Sequence, residues 1–143
     1  MKLFIALLLM LSPFACADYV YLGAWSHHWE GQPDKTKKDY NQTHNLIAYE
    51  RKGYMVGHFT NSFNESTFIA TKNFELEKGD FSFFFAAGAT HGYTNCENQK
   101  KDAGTDKKIC PYYQGGVAYT KFKIQPAIAF NQTVALLTFR IKI

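Results

Sequence analysis

The sequence predicts an all-β fold: an eight-stranded antiparallel up-and-down transmembrane β-barrel. Three observations lead there. From Asp18 onward no segment has helical apolar spacing, and the last two strand segments alternate apolar and polar residues. The connections between strand segments alternate long and short, as outer loops and periplasmic turns of an outer-membrane barrel do. The sequence also stops on an alternating apolar strand that carries an aromatic residue.

The opening residues carry an address rather than a fold. Met1-Lys2 is a short positive start, Leu3–Leu11 an apolar run too short to span a bilayer, and Ala15-Cys16-Ala17 a small-residue cleavage site. The expected organisation is therefore a signal peptide at 1–17 and one exported domain at 18–143. A lipid-anchored Cys16 ranks second, because Pro13 and Phe14 stand where such signals carry Leu and a small residue.

Composition narrows the class. Aromatic residues make up 17% of the chain, led by Phe 13 and Tyr 9, which suits strands and excludes a disordered chain or a coiled coil. A net charge of +4, scattered along the sequence, is too mild to argue for nucleic-acid binding. Loss of Cys16 with the signal leaves Cys96 and Cys110, an even pair in an exported protein. A disulfide between them would close a polar, Lys-rich loop and contribute about 3 kcal/mol by the chain-entropy argument. Zinc is the weaker alternative, since there is no CxxC and His91 alone lies near.

Each strand has its own signal. Strand 1 is expected at Tyr19–Trp29 and strand 2 at Asn45–Arg51, with Lys52-Gly53 turning into strand 3, Tyr54–Asn61. Strand 4 is expected at Thr67–Phe74, and Glu77-Lys78-Gly79-Asp80 turns into strand 5, Phe81–Tyr93. Strand 6 falls at Tyr112–Tyr119 and strand 7 at Phe122–Phe130, and Asn131-Gln132 leads into strand 8, Thr133–Ile143. In strand 8, Ala135, Leu137, Phe139, Ile141 and Ile143 share one face, with Leu136, Thr138, Arg140 and Lys142 on the other. In strand 7, Phe122, Ile124, Ile128 and Phe130 oppose Lys123, Gln125, Ala127 and Ala129. Long connections follow strand 1 (30–44) and strand 5 (94–111), and a medium one, 62–66, follows strand 3.

The same alternation also fits a soluble, disulfide-bonded secreted β-sandwich that binds a ligand. The tripeptides beginning at Asn41, Asn64 and Asn131 match the glycosylation pattern in predicted connections and favour that alternative. The barrel is preferred because eight strands of about 9–11 residues need roughly 70–90 residues, which the mature chain supplies.

Strand direction gathers chemistry at one end. With strand 1 rising outward, His27, His28, His44 and His91 fall near the outer rim, with Asn61 and Ser62, while His58 lies within strand 3 as a wall or lumen residue. An imidazole beside a serine can run acyl transfer by taking the proton of an attacking hydroxyl. Surface histidines are common, and a solvated role is the bland alternative. Metal binding by His27, His28 and His44 lacks a carboxylate or thiolate at a defined spacing, so no metal or cofactor is expected.

Several segments carry a family resemblance. Ala24-Trp25-Ser26-His27-His28-Trp29, followed by Asp34–Asn41, resembles the first strand and loop of the lipid A palmitoyltransferase (PagP-like) family. Gly53–Phe63 resembles that family's third strand, which runs into Lys-Asp-Ser-Trp, and Phe84–Thr90 and Phe122–Pro126 resemble its Gly/Ala-rich and Pro-interrupted strands. The likeness is of pattern over most of the mature chain.

The resemblance implies a monomeric outer-membrane barrel whose rim moves an acyl chain from phospholipid to lipid A. The family's histidine falls on His27 without a gap, or on His28 if strand 1 shifts by one, and its serine falls on Ser62. Its aspartate falls on Asn61, which cannot steady an imidazolium with negative charge. Asp39 and Glu65 are the acidic residues nearest to replacing it. The family's helix ahead of strand 1 has no counterpart. These departures leave room for a barrel that has lost catalysis and acts through its outer loops. Pro126 and Pro111 mark places where the wall would open sideways to lipid, and Gly57, Ala86, Gly88 and Ala127 are small enough to leave room for an acyl tail.

Overall fold

The computed structural model describes residues 18–29, 40–94, 96, 106–131 and 134–143. The expected signal peptide, Asp39 and most of the predicted 94–111 connection's centre lie outside the described residues. The strands are β1 (Tyr19–His28), β2 (Ile47–Arg51), β3 (Tyr54–Thr60), β4 (Ser66–Lys78), β5 (Phe81–Tyr93), β6 (Lys108–Tyr119), β7 (Ile124–Phe130) and β8 (Val134–Lys142). Each pairs antiparallel with its neighbour, and β1 closes on β8 from Tyr19↔Lys142 to His28↔Val134. The fold is an eight-stranded closed barrel, so the sandwich alternative is corrected.

Two strands are longer than their sequence signals. β4 stays paired with β5 down to Lys78↔Phe81, leaving Gly79-Asp80 as the turn rather than four residues. β6 begins at Lys108 because it pairs with β5 through Cys110↔Thr90 and Ile109↔His91, beside the Cys96–Cys110 disulfide. Two seams are short. β1 meets β2 only over Tyr19–Leu22, and β6 meets β7 only over Gly115–Ala118.

Pleating sorts the side chains into two populations. Outward-facing Ile47, Val56, Phe68, Phe83, Phe85, Tyr113, Ile124, Ile128 and Phe130 are exposed, giving the barrel an apolar outer wall. Inside, the end beneath the short turns is polar. Arg140, 1% exposed, pairs with Glu75, takes the carbonyl of Gln125 at 2.9 Å and lies 4.2 Å over the Tyr19 ring. Ser82 donates to the same Glu75, while Glu50 accepts from Tyr21 at 2.6 Å and from Asn73 at 2.7 Å. Burying such charges is tolerable only with partners of this kind. Above this plug the lumen turns apolar, with Ala24, Leu46, Ala48, Met55 and Ile69 buried together.

Of the small residues expected to leave room in the lumen, Ala86 lines it. At Gly57 and Gly88 an added Cβ would strike the adjoining strand, 2.4 Å from Ala48 Cβ and 2.0 Å from the Ala70 carbonyl oxygen. Their smallness serves close strand approach.

Candidate functional site

The site begins with one irregularity in β1. Gly23 has φ +64, and the β1–β8 register shifts between Leu22 and Ala24, so Gly23 is an extra, bulged residue. Below the bulge Tyr19 and Tyr21 point inward, and above it Ala24, Ser26 and His28 do, while Trp25 and His27 face out. A regular strand would have turned His27 inward instead, since one residue of slip exchanges the two faces. The bulge therefore assigns His28 to the lumen and His27 to the exposed outer wall.

His28 Nε2 lies 3.2 Å from Ser62 Oγ, which the β3–β4 connection brings to the rim. The His28 ring stacks on Tyr40 with centroids 4.6 Å apart, Tyr40 meets the edge of Phe63, and Phe63 meets Tyr93. This aromatic row roofs one side of the mouth. His28 Nδ1 is buried without a hydrogen-bond partner.

Asn61 comes close in sequence but faces elsewhere. Its Oδ1 accepts the N–H groups of Phe63 at 2.9 Å and Glu65 at 3.1 Å, and its Nδ2 donates to Thr67 Oγ1 at 3.0 Å. The side chain is fully buried, and it shapes the β3–β4 turn. An amide suits that position because it accepts and donates at once, which an ionised carboxylate cannot do. Glu65 is engaged with Lys107 at 3.1 Å.

Sequence pattern alone missed a second imidazole–hydroxyl pair. Segment 40–46 descends beside β1 in irregular pairing: Ser26 N–H donates to the Gln42 carbonyl, His44 N–H to that of Ala24, and Thr60 N–H to that of His44. It carries His44 into the barrel. There His44 Nδ1 lies 2.7 Å from the Thr60 carbonyl and Nε2 lies 2.7 Å from Ser26 Oγ. A carbonyl only accepts, so Nδ1 holds the proton, Nε2 presents its lone pair, and Ser26 donates to it. His44 is 5% exposed, and burial pulls its pKa below the ordinary imidazole value, partly offset by the bond to Thr60. The one signal available was that both residues lie near the same rim.

The other two histidines stay outside. His58 faces outward, 2.7 Å from Ser66 Oγ and edge-on to Phe68, and His91 is exposed on β5. Among the described residues, no three His, Cys, Asp or Glu side chains converge as a metal site.

A cavity of about 120 Å³ runs from the mouth into the apolar half of the lumen. Ser26, His28, His44 and Ser62 line its upper part, and Leu46, Met55, Ile69, Ala86 and Leu136 its lower part. The Cys96–Cys110 disulfide, Pro111, Asn131 and Val134 line one flank. That flank lies above the short β6–β7 seam, where β6 residues 108–114 have no partner on β7. No protein-family model matches the chain, and no curated protein matches it at a significant level.

Proposed function

We propose that the chain is an exported outer-membrane barrel that takes an acyl chain of a membrane lipid into its lumen and transfers it, at the loop end, from phospholipid to lipid A. The observation that carries this reading is the cavity: apolar below, closed by a polar plug, and topped by hydroxyls and imidazoles. At about 120 Å³ it is somewhat smaller than a cavity of roughly 150 Å³ that holds a benzene ring, so it seats a short terminal length of an acyl chain. The apolar outer wall supports residence in a bilayer, because a water-soluble barrel would not expose Phe83, Phe85, Ile124 and Ile128 together. The flank beside Pro111 supports sideways entry of the chain. In this reading His28 and Ser62 hold the acceptor hydroxyl over the ester carbonyl.

One observation favours a barrel without catalysis: no described carboxylate faces His28, since Asn61 shapes its turn and Glu65 binds Lys107. Mass spectrometry of lipid A from cells expressing the protein separates the two. An added acyl chain, lost in His28→Ala and reduced in Ser62→Ala, supports transfer; an unchanged lipid A profile with folded protein in the outer membrane refutes it.

A further inference from the structure

We infer that Ser26 is a nucleophile activated by His44, so that transfer passes through an acyl ester on Ser26; this rests on the acyl-transfer reading above. Three features of the geometry support it.

The first is the fixed tautomer. The Thr60 carbonyl holds the Nδ1 proton of His44, leaving Nε2 as a base 2.7 Å from the Ser26 hydroxyl. A serine becomes nucleophilic when a base is within such reach and a third group orients that base. The His28–Ser62 pair is longer, at 3.2 Å, and nothing orients the His28 ring through Nδ1.

The second is depth. Ser26 lies two residues below His28 on the inward face of β1, about 7 Å further in. It therefore sits at the level where the polar mouth gives way to Ala24, Leu46 and Leu136. A chain lying in the apolar part with its carbonyl at that level presents its ester to Ser26. The third is persistence: the pair is held by backbone bonds from Gln42, Ala24 and Thr60, so it is preformed without any lipid.

The chemistry balances. Ser26 Oγ attacks the ester carbonyl of the phospholipid and gives its proton to His44 Nε2. The tetrahedral intermediate collapses, its bond to the glycerol oxygen breaks, and His44 returns the proton to that oxygen, releasing a lysophospholipid. The acceptor hydroxyl, held by His28 and Ser62, then attacks the Ser26 ester. Its proton passes through His44 to Ser26 Oγ as the new ester forms. No oxidant or metal takes part.

The test uses the full-length protein, exported, purified in detergent and checked for the heat-dependent gel mobility of a closed barrel. It is exposed to a long-chain alkyl fluorophosphonate, and the adduct is located by peptide mass. Acyl transfer from phosphatidylethanolamine to lipid A in mixed micelles is followed in parallel. The expected result is one adduct, on Ser26, with labelling slowed about 10²–10⁴-fold in His44→Gln and abolished in Ser26→Ala. In Ser26→Cys, phospholipid alone should leave a thioester on residue 26. Adduct on Ser62 instead, or transfer that persists in folded Ser26→Ala, overturns the Ser26 nucleophile while leaving acyl transfer standing. If folded protein gives neither adduct nor transfer, both fall.

Discussion

Replacing Gly23 with alanine tests the feature that orients the whole site. The residue has φ +64, a conformation that costs an ordinary L-residue about 1–2 kcal/mol. An added Cβ there would also lie 3.0 Å from the Trp25 ring, so the indole must shift against Phe139, on whose ring it packs edge-on. Gly79 provides the control, since it has nearly the same φ, +61, and nothing within 4 Å of the added carbon. Gly79→Ala should therefore lose only the conformational part, about 1–2 kcal/mol, and Gly23→Ala should lose more. The assay is reversible urea unfolding in lipid vesicles, followed by the fluorescence of Trp25 and Trp29. A second readout addresses orientation: if β1 relieves the strain by ironing out the bulge, both tryptophans turn inward and escape quenching by brominated lipid tails. Gly23→Ala within about 0.5 kcal/mol of the parent, with quenching unchanged, would refute the claim that the bulge is strained into place by glycine.

Arg140→Met leaves Glu75 buried without its cation and should cost about 3–5 kcal/mol, most of it recovered in Arg140→Met/Glu75→Gln; urea unfolding of the two variants checks this, and a loss below about 1 kcal/mol would mean the plug is wet. Phe85→Lys puts a charge on the outer wall of β5 and should cost about 2–4 kcal/mol in vesicles if that wall meets lipid. A change within about 0.5 kcal/mol, with the protein staying monodisperse without detergent, would remove the membrane reading. The pH profile of Ser26 labelling should have an acid limb below the ordinary imidazole value of about 6.5, because burial favours neutral His44 and the base must be unprotonated. His28 is the other imidazole facing the cavity, so the limb must vanish in His44→Gln and survive in His28→Gln; a limb above about 6.5 contradicts the assignment.

The alternating strands β7 and β8 were legible because one face is uniformly apolar: Ile124, Ile128, Phe130, Leu137 and Phe139 all point outward as their parity requires. The lower end of β4, beyond Phe74, was not, because the polar run from Glu75 to Lys78 reads as the approach to a turn until Arg140 supplies a partner for Glu75 from a strand far away in sequence. Gly23 stood in plain view within strand 1, yet only the pairing with β8 reveals that it is the extra residue. Ser26 and His44 were harder still. They meet through a descending segment whose pairing with β1 is irregular, and no periodicity encodes that path. Ser62 and the disulfide, by contrast, follow from the placement of the 62–66 connection at the rim and from an even cysteine count.

The division of the lumen also fixes a direction. The plug joins β1, β2, β4, β5, β7 and β8 through Tyr19, Glu50, Glu75, Ser82, Gln125 and Arg140, so an apolar chain cannot enter from the turn end without unpairing buried charges. In the proposed reading, a chain in the cavity has its methyl end toward the plug and its polar end toward Ser26, His28, His44 and Ser62. On that reading the chain enters through the mouth or through the flank above the short β6–β7 seam, where Pro111 withholds a donor. A ligand reversed in the cavity would place its carboxyl or phosphate among Leu46, Met55 and Ile69, where the nearby donors Tyr21 and Asn73 are already engaged by Glu50. The plug that closes the barrel thus brings, in the proposed reading, the ester carbonyl rather than the tail to the hydroxyls at the top.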